Sequence, residues 1–171
     1  LLATLRDTGL ADDTRVIYTS DHGDNLGKRG LWGKSTMYEE SAGIPMLMAG
    51  PDVPQGVVCR EPVSLVDAFP TITQCVGAAR GAEDASLPGS SLLDVVSGTC
   101  GRRTVMCEYH AAGSATGVTM IRHGRFKYVH YVGMPPQLFD LEADPQEIRD
   151  LGEVPGYQGV RADCEAKLRK V

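Results

Sequence analysis

The chain has 171 residues, 42% of them hydrophobic, which is enough to bury the core of one domain or of one and a half. Its 17 basic and 22 acidic residues give a net charge of -5 and a pI near 5.3, which argues against the basic face that a nucleic-acid partner requires. The sequence shows no signal peptide and no apolar run of about 20 residues, so it predicts a soluble piece without a membrane partner, cytoplasmic or periplasmic; its five irregularly spaced cysteines argue against a disulfide framework and for at least one free thiol.

Leu1, Leu2 and Leu5 read as the end of an amphipathic helix that stops at Gly9, and Ala11 to Thr14 as the turn into a strand over residues 15–19. The β-branched and aromatic residues of that strand suit a sheet, and its carboxyl end delivers Ser20-Asp21-His22-Gly23, at the edge where open α/β sheets place their ligands. An adjacent carboxylate and imidazole followed by Lys34 look like half of a metal-assisted hydrolase site. The plain alternative is a polar cap, since Ser and Asp bond nearby backbone N–H groups and Gly adopts positive φ. Residues 20–34 then form a glycine-rich loop, Ser35 caps a short helix through Ser41, and residues 45–49 read as a buried strand of a large domain's sheet.

After Gly50-Pro51 the pattern gives a short strand over 57–60 and a helix capped by Ser64, with Asp67 in the capping-box position. Pro70 inside that helix removes a donor and crowds the preceding turn, so two short helical pieces are expected, with Pro70 in the first turn of the second. Residues 77–88 read as an exposed linker. From Arg103 the period becomes that of strands. Residues 104–109, 117–122 and 125–131 alternate as an antiparallel sheet with His123-Gly124 as its two-residue turn, and 138–141 adds an edge strand. Val160, Cys164, Leu168 and Val171 fall at helical spacing and would pack a final helix on that sheet.

From Thr19 the chain reads T-S-D-H-G-D-N-L-G-K-R-G-L-W-G-K-S-T-M-Y-E-E-S-A-G-I-P-M-L-M-A-G-P, which resembles the sulfatase family of the alkaline phosphatase superfamily. The run from Val63 to Ile72 is similar to the helix that follows the core sheet in that family, and Gly89 to Leu93 is similar to the loop after it. Arg122 to Tyr128 and Gln137 to Pro145 are similar to its C-terminal hairpin and end signature. The resemblance implies an α/β fold in which residues 1–100 are the C-terminal part of an alkaline-phosphatase-like sheet domain. Residues 101–171 are then a small antiparallel sheet packed with a C-terminal helix.

The resemblance further implies sulfuric ester hydrolysis, with Asp21 and His22 as the later pair of ligands of a divalent cation. Calcium comes first and manganese or magnesium are the alternatives, the imidazole nitrogen being soft for calcium. Lys34 matches the lysine that reaches a sulfate oxygen between the metal and the leaving group, whereas Lys28 and Arg29 read as solvated surface residues. Trp32 reads as a wall, Glu39 as a structural carboxylate bonding neighbouring backbone, and His110, at a strand end, as a contact to the organic part of the substrate. These types suit the chemistry, because a departing sulfate ester gathers negative charge that a cation and a lysine can offset in a water-poor cleft.

The family's nucleophile is a formylglycine made from the Cys or Ser of a C/S-x-P-x-R motif. None of Cys59, Cys75, Cys100, Cys107 or Cys164, and no serine, is followed by Pro two places on and Arg four places on. Nothing before Asp21 resembles the family's first pair of metal-binding aspartates either. The sequence therefore reads as the C-terminal part of a larger sulfatase, inactive alone, partnered by the missing N-terminal part with its formylglycine, and acting on a small-molecule sulfate ester. Two other readings stay open: a phosphonate monoester or phosphodiester hydrolase of the same superfamily, and a non-catalytic binding or assembly module derived from a sulfatase. Strand edges and apolar surface left by a cut through a sheet predict a homo-oligomer when the chain stands alone.

Overall fold

The computed structural model describes residues 1–170; Val171, expected at the end of the last helix, lies outside the described residues. In chain order its elements are α1 (Leu2–Asp7), β1 (Val16–Thr19), α2 (Glu39–Ala42), β2 (Met46–Ala49), α3 (Ala68–Cys75), α4 (Leu92–Val96), β3 (Thr104–Tyr109), β4 (Val118–His123), β5 (Phe126–Tyr131), β6 (Gln137–Asp140) and α5 (Gln158–Leu168). Two units result. One combines Leu1–Asp21 with Pro45–Gly101, and the other combines His22–Ile44 with Arg102–Val171.

In the first unit β1 and β2 form an antiparallel ribbon, Val16 opposite Ala49 and Thr19 opposite Met46. The strand expected to be buried is not: Leu47 is 58% exposed and its cross-strand partner Tyr18 is 62% exposed. Among the described residues no third strand joins the ribbon, so one of its faces stays in water. Residues 57–60, expected as a strand, are exposed coil. The helical region follows its capping chemistry more closely. The Ser64 N–H donates to Asp67 Oδ2 (2.8 Å), a 3-10 turn spans Leu65–Asp67, and α3 begins at Ala68 with Pro70 in its first turn, where the missing N–H costs nothing. Residues 77–88 are mostly exposed, with a short 3-10 turn. Ser91 then caps α4 by accepting the Leu93 N–H, so the last residues of the expected loop are helical.

The second unit is built on a four-stranded antiparallel sheet in the order β3-β4-β5-β6. β3 has the expected bounds, and the edge strand lies one residue earlier than expected. The hairpin turn is also shifted by one residue. His123 pairs with Phe126, leaving Gly124-Arg125 as the loop with Gly124 at φ +55°. A bond between Thr104 Oγ1 and His123 Nδ1 (2.8 Å) explains the shift by holding His123 in the ladder.

Strand alternation divides this sheet between two cores. Ile121, Tyr128 and Leu138 pack with Leu151 and Cys164 under α5, with Val160 and Leu168 alongside, which is the helix-on-sheet packing expected from the spacing. On the other face Val118, Met120 and Val129 pack with Met37, beside Ala42, Tyr109 and Tyr131. The segment around α2 is thus the second cover of the sheet. Among the described residues no helix is long and apolar enough to cross a membrane.

Candidate functional site

The division between the units falls between Asp21 and His22, so each is described within its own unit. Asp21 is exposed at the end of the first segment, and Ser20 Oγ donates to its Oδ1 at 3.4 Å. His22 is half-buried at the start of the second segment. Its Nδ1 lies 2.8 Å from Gly23 O and its Nε2 lies 2.5 Å from Lys34 Nζ. A carbonyl can only accept, so Nδ1 carries the proton and Nε2 presents its lone pair to the lysine ammonium. That is the tautomer a histidine ligand needs, with the second ring nitrogen fixed by a backbone acceptor.

The loop between these residues is pinned by buried polar groups. Asn25, 2% exposed, donates to Gly33 O from both its backbone N–H (2.9 Å) and its Nδ2 (2.6 Å), and accepts from Thr36 Oγ1 at 3.2 Å. Gly23 packs so closely that a Cβ there would stand 2.1 Å from Glu40 O, which restricts the position to glycine. Helix α2 is shorter than expected, and Ser35 does not cap it; its Oγ instead pairs with Tyr109 Oη at 3.0 Å. That bond brings the end of β3, followed by His110, beside the residue after Lys34. His110 itself is exposed, its Nε2 lies 3.4 Å from Glu108 Oε2, and its ring closes over Gly117.

Arg29 and Glu39 differ from expectation. Arg29, expected in solvent, bonds Glu40 Oε2 (2.6 Å) and the carbonyls of Gln146 and Glu147, and its guanidinium lies 4.1 Å from the Tyr38 ring centroid. Burial pushes the Glu40 carboxyl up, but bonds from Lys28 and Arg29 outweigh it and bring the group from its ordinary 4.5 down to about 2. Glu39 bonds side chains rather than neighbouring backbone. Its Oε1 lies 2.5 Å from Nζ of the fully buried Lys127, which also meets Glu147 Oε1 (2.7 Å) and donates to Met37 O (2.9 Å). The Glu39 N–H in turn donates to Glu147 Oε2 (2.7 Å). Sequence pattern missed this cluster because a lysine in an alternating strand reads as an outward residue.

Comparison with known proteins now adds to this geometry. The Sulfatase family model matches residues 1–78. A choline-sulfatase of Rhizobium meliloti (strain 1021) is 41% identical over 155 residues, covering 91% of this chain and 30% of that protein. The chain belongs to the sulfatase family. This sulfatase chain spans about a third of the length of the curated relatives it matches. The solved structure of a 2-O GAG sulfatase, 29% identical, matches with a TM-score of 0.83 over 99% of this chain and 38% of the other. That of a phosphonate monoester hydrolase from Silicibacter pomeroyi, 26% identical, matches with a TM-score of 0.82 over 99% and 36%. The expected α/β architecture, ending in an antiparallel sheet packed with a helix, is the one these neighbours share.

The donor chemistry of this sulfatase chain fits a divalent cation in part. Asp21 offers a hard oxygen and His22 an Nε2 lone pair in the ligating tautomer, while among the described residues no group of three or more His, Cys, Asp or Glu is arranged to hold a metal.

Proposed function

We propose that this chain supplies the cation-holding and anion-holding side of a sulfuric ester hydrolase site. Asp21 and His22 hold the divalent cation, calcium before manganese or magnesium, and Lys34 holds an oxygen of the sulfate. The observation that carries the reading is the 2.5 Å approach of Lys34 Nζ to His22 Nε2, which brings an ammonium and an imidazole to one point of a pinned loop; a cation on Nε2 would take the lone pair the ammonium now meets and leave the ammonium to the sulfate oxygen. When bound, the cation supplies Lewis-acid polarisation of the ester oxygens. Lys34 adds a point charge on a long stem that can follow an oxygen as negative charge grows on it. His110 contacts the organic group, a role supported by the Ser35–Tyr109 bond beside it.

The nucleophile is a formylglycine outside this chain, since no C/S-x-P-x-R motif occurs within it. The chain alone is inactive, and the active protein takes a small-molecule sulfate ester. A second reading, hydrolysis of phosphonate monoesters, is favoured by the similarity to the phosphonate monoester hydrolase, because sulfur and phosphorus oxyanions call for the same positive charge. The test is a paired assay of the whole protein on an aryl sulfate and an aryl phosphonate, with Asp21→Asn, His22→Ala and Lys34→Ala variants. Lys34→Ala is expected to lower kcat by about 10²–10³-fold, the scale of losing one charge-stabilising donor, on whichever ester is the substrate. Wild-type rates in these variants would overturn the reading.

A further inference from the structure

We propose that Ser41 is a positioning residue that holds Lys34 against His22; the proposal rests on the roles given to those two residues above. Ser41 is 3% exposed, so its polar atoms must find partners within the protein. A helical serine commonly satisfies its hydroxyl on the carbonyl three or four residues back in its own helix. Ser41 does not. Its Oγ donates to the backbone oxygen of Lys34, seven residues back and outside α2, at 2.5 Å. Its own carbonyl accepts the Gly23 N–H at 2.8 Å. Gly23 is the residue whose oxygen fixes the His22 ring. One buried side chain and its backbone thus bind both arms of the loop at the positions that carry the pair.

Asn25 serves as a contrast. It is equally buried and ties the start of the loop to Gly33, but its bonds stay within residues 25–36. Asp24 Oδ1 likewise accepts the Gly33 N–H at 3.3 Å, whereas Ser41 reaches Lys34 itself and the Gly23 that fixes the His22 ring. Without the Oγ donor the Lys34 carbonyl loses its tether to α2, and the lysine backbone is free to drift from His22. Displacements of about 1 Å near reacting groups can cost on the order of 10²-fold in rate, so a single lost tether is expected to be felt in kcat.

The experiment compares the whole protein with Ser41→Ala, Ser41→Cys and Thr71→Ala. Thr71 is a fully buried hydroxyl in the first unit that donates to Asp67 O and accepts the Leu92 N–H, so its loss reports stability alone. Two quantities are read: the rate at which an acylating reagent labels Lys34 relative to Lys28, by peptide mass spectrometry, and kcat and KM on 4-nitrophenyl sulfate. Ser41→Ala is expected to raise the Lys34 labelling ratio and to lower kcat about tenfold with KM little changed. Ser41→Cys, a weaker donor of similar volume, should fall between it and wild type, and provides the readout if the alanine variant does not fold. Thr71→Ala should lower Tm and leave both quantities alone. An unchanged labelling ratio in both Ser41 variants, or an equal rise in Thr71→Ala, overturns the proposal. A raised ratio with unchanged kcat supports the positioning role and instead sinks the catalytic role of Lys34.

Discussion

The two units solve the problem of burial differently. The second closes two apolar clusters, one on each face of its sheet, around residues such as Ile121, Leu138 and Val129 that are almost without exposure. The first centres on hydrogen-bonded polar groups. Asp67 is fully buried and accepts the N–H groups of Ser64 and Ser90, while Thr71 bridges α3 to the start of α4. Its apolar side chains Tyr18, Leu47, Val58 and Val76 stay largely in water. Polar bonds fix geometry but contribute little net stability each, whereas apolar area contributes in proportion to its burial. Global stability should therefore reside in the second unit, and the candidate loop 22–36 is attached to that one.

The strongest way to break this comparison is to strike the ion cluster that fastens the loop segment to its sheet. Lys127→Ala leaves the buried Glu147 without its cation and is expected to cost about 3–5 kcal/mol by urea unfolding. The pair of changes Lys127→Met with Glu147→Leu should recover most of that loss, since a packed apolar pair often replaces a buried ion pair at little cost. A loss in Lys127→Ala no larger than that of a surface substitution would mean that the cluster does not hold the unit.

A smaller effect sharpens the contrast directly. Leu138→Ala in the second unit should cost about 2–5 kcal/mol, and Leu47→Ala on the exposed ribbon should stay within about 0.5 kcal/mol. Leu47→Ala should act instead on sedimentation, reducing self-association of the chain. Equal melting shifts for the two leucines would erase the distinction between the units.

The smallest effect is on acid stability. Glu40 has a folded value of about 2 against an ordinary 4.5, so the stability it adds is present above 4.5 and is lost as pH falls through the folded value. Thermal melts between pH 5 and pH 2 should show a steeper decline in wild type than in Glu40→Gln. Parallel curves would mean that the Lys28 and Arg29 bonds do not persist in solution.

Much of the second unit was legible because local pattern and tertiary role agree there. The alternation over Thr104–Tyr109 and the helical spacing of Val160, Cys164 and Leu168 each report one buried face. Pro70 was legible for a similar reason, because its ring restricts where a helix can begin. The Asp21, His22 and Lys34 trio stood out by residue type, and the structure brings His22 and Lys34 together. What could not be read depends on partners far along the chain. Arg29 looks like a surface residue until residues 146 and 147 are packed beside it, and Lys127 until Glu39 and Glu147 surround it. Ser41 and Asn25 are small polar residues in a loop-rich stretch, where only burial separates a tether from a solvated side chain. The ribbon failed for the opposite reason, since its apolar sequence predicts burial on both faces but no third strand joins it among the described residues, and Tyr18 and Leu47 stay in water.

The Lys127–Met37 bond spans 90 residues of sequence, and this has a consequence for timing during synthesis. At about 5–20 residues per second, the segment bearing His22 and Lys34 leaves the ribosome several seconds before the lysine that will clamp it has been made. For that interval the loop has its own short-range bonds but no sheet to lie on, because closure over so long a separation must wait for the later strands. Any product truncated ahead of Lys127 would carry every candidate site residue and still lack the anchor for the loop on which His22 and Lys34 sit.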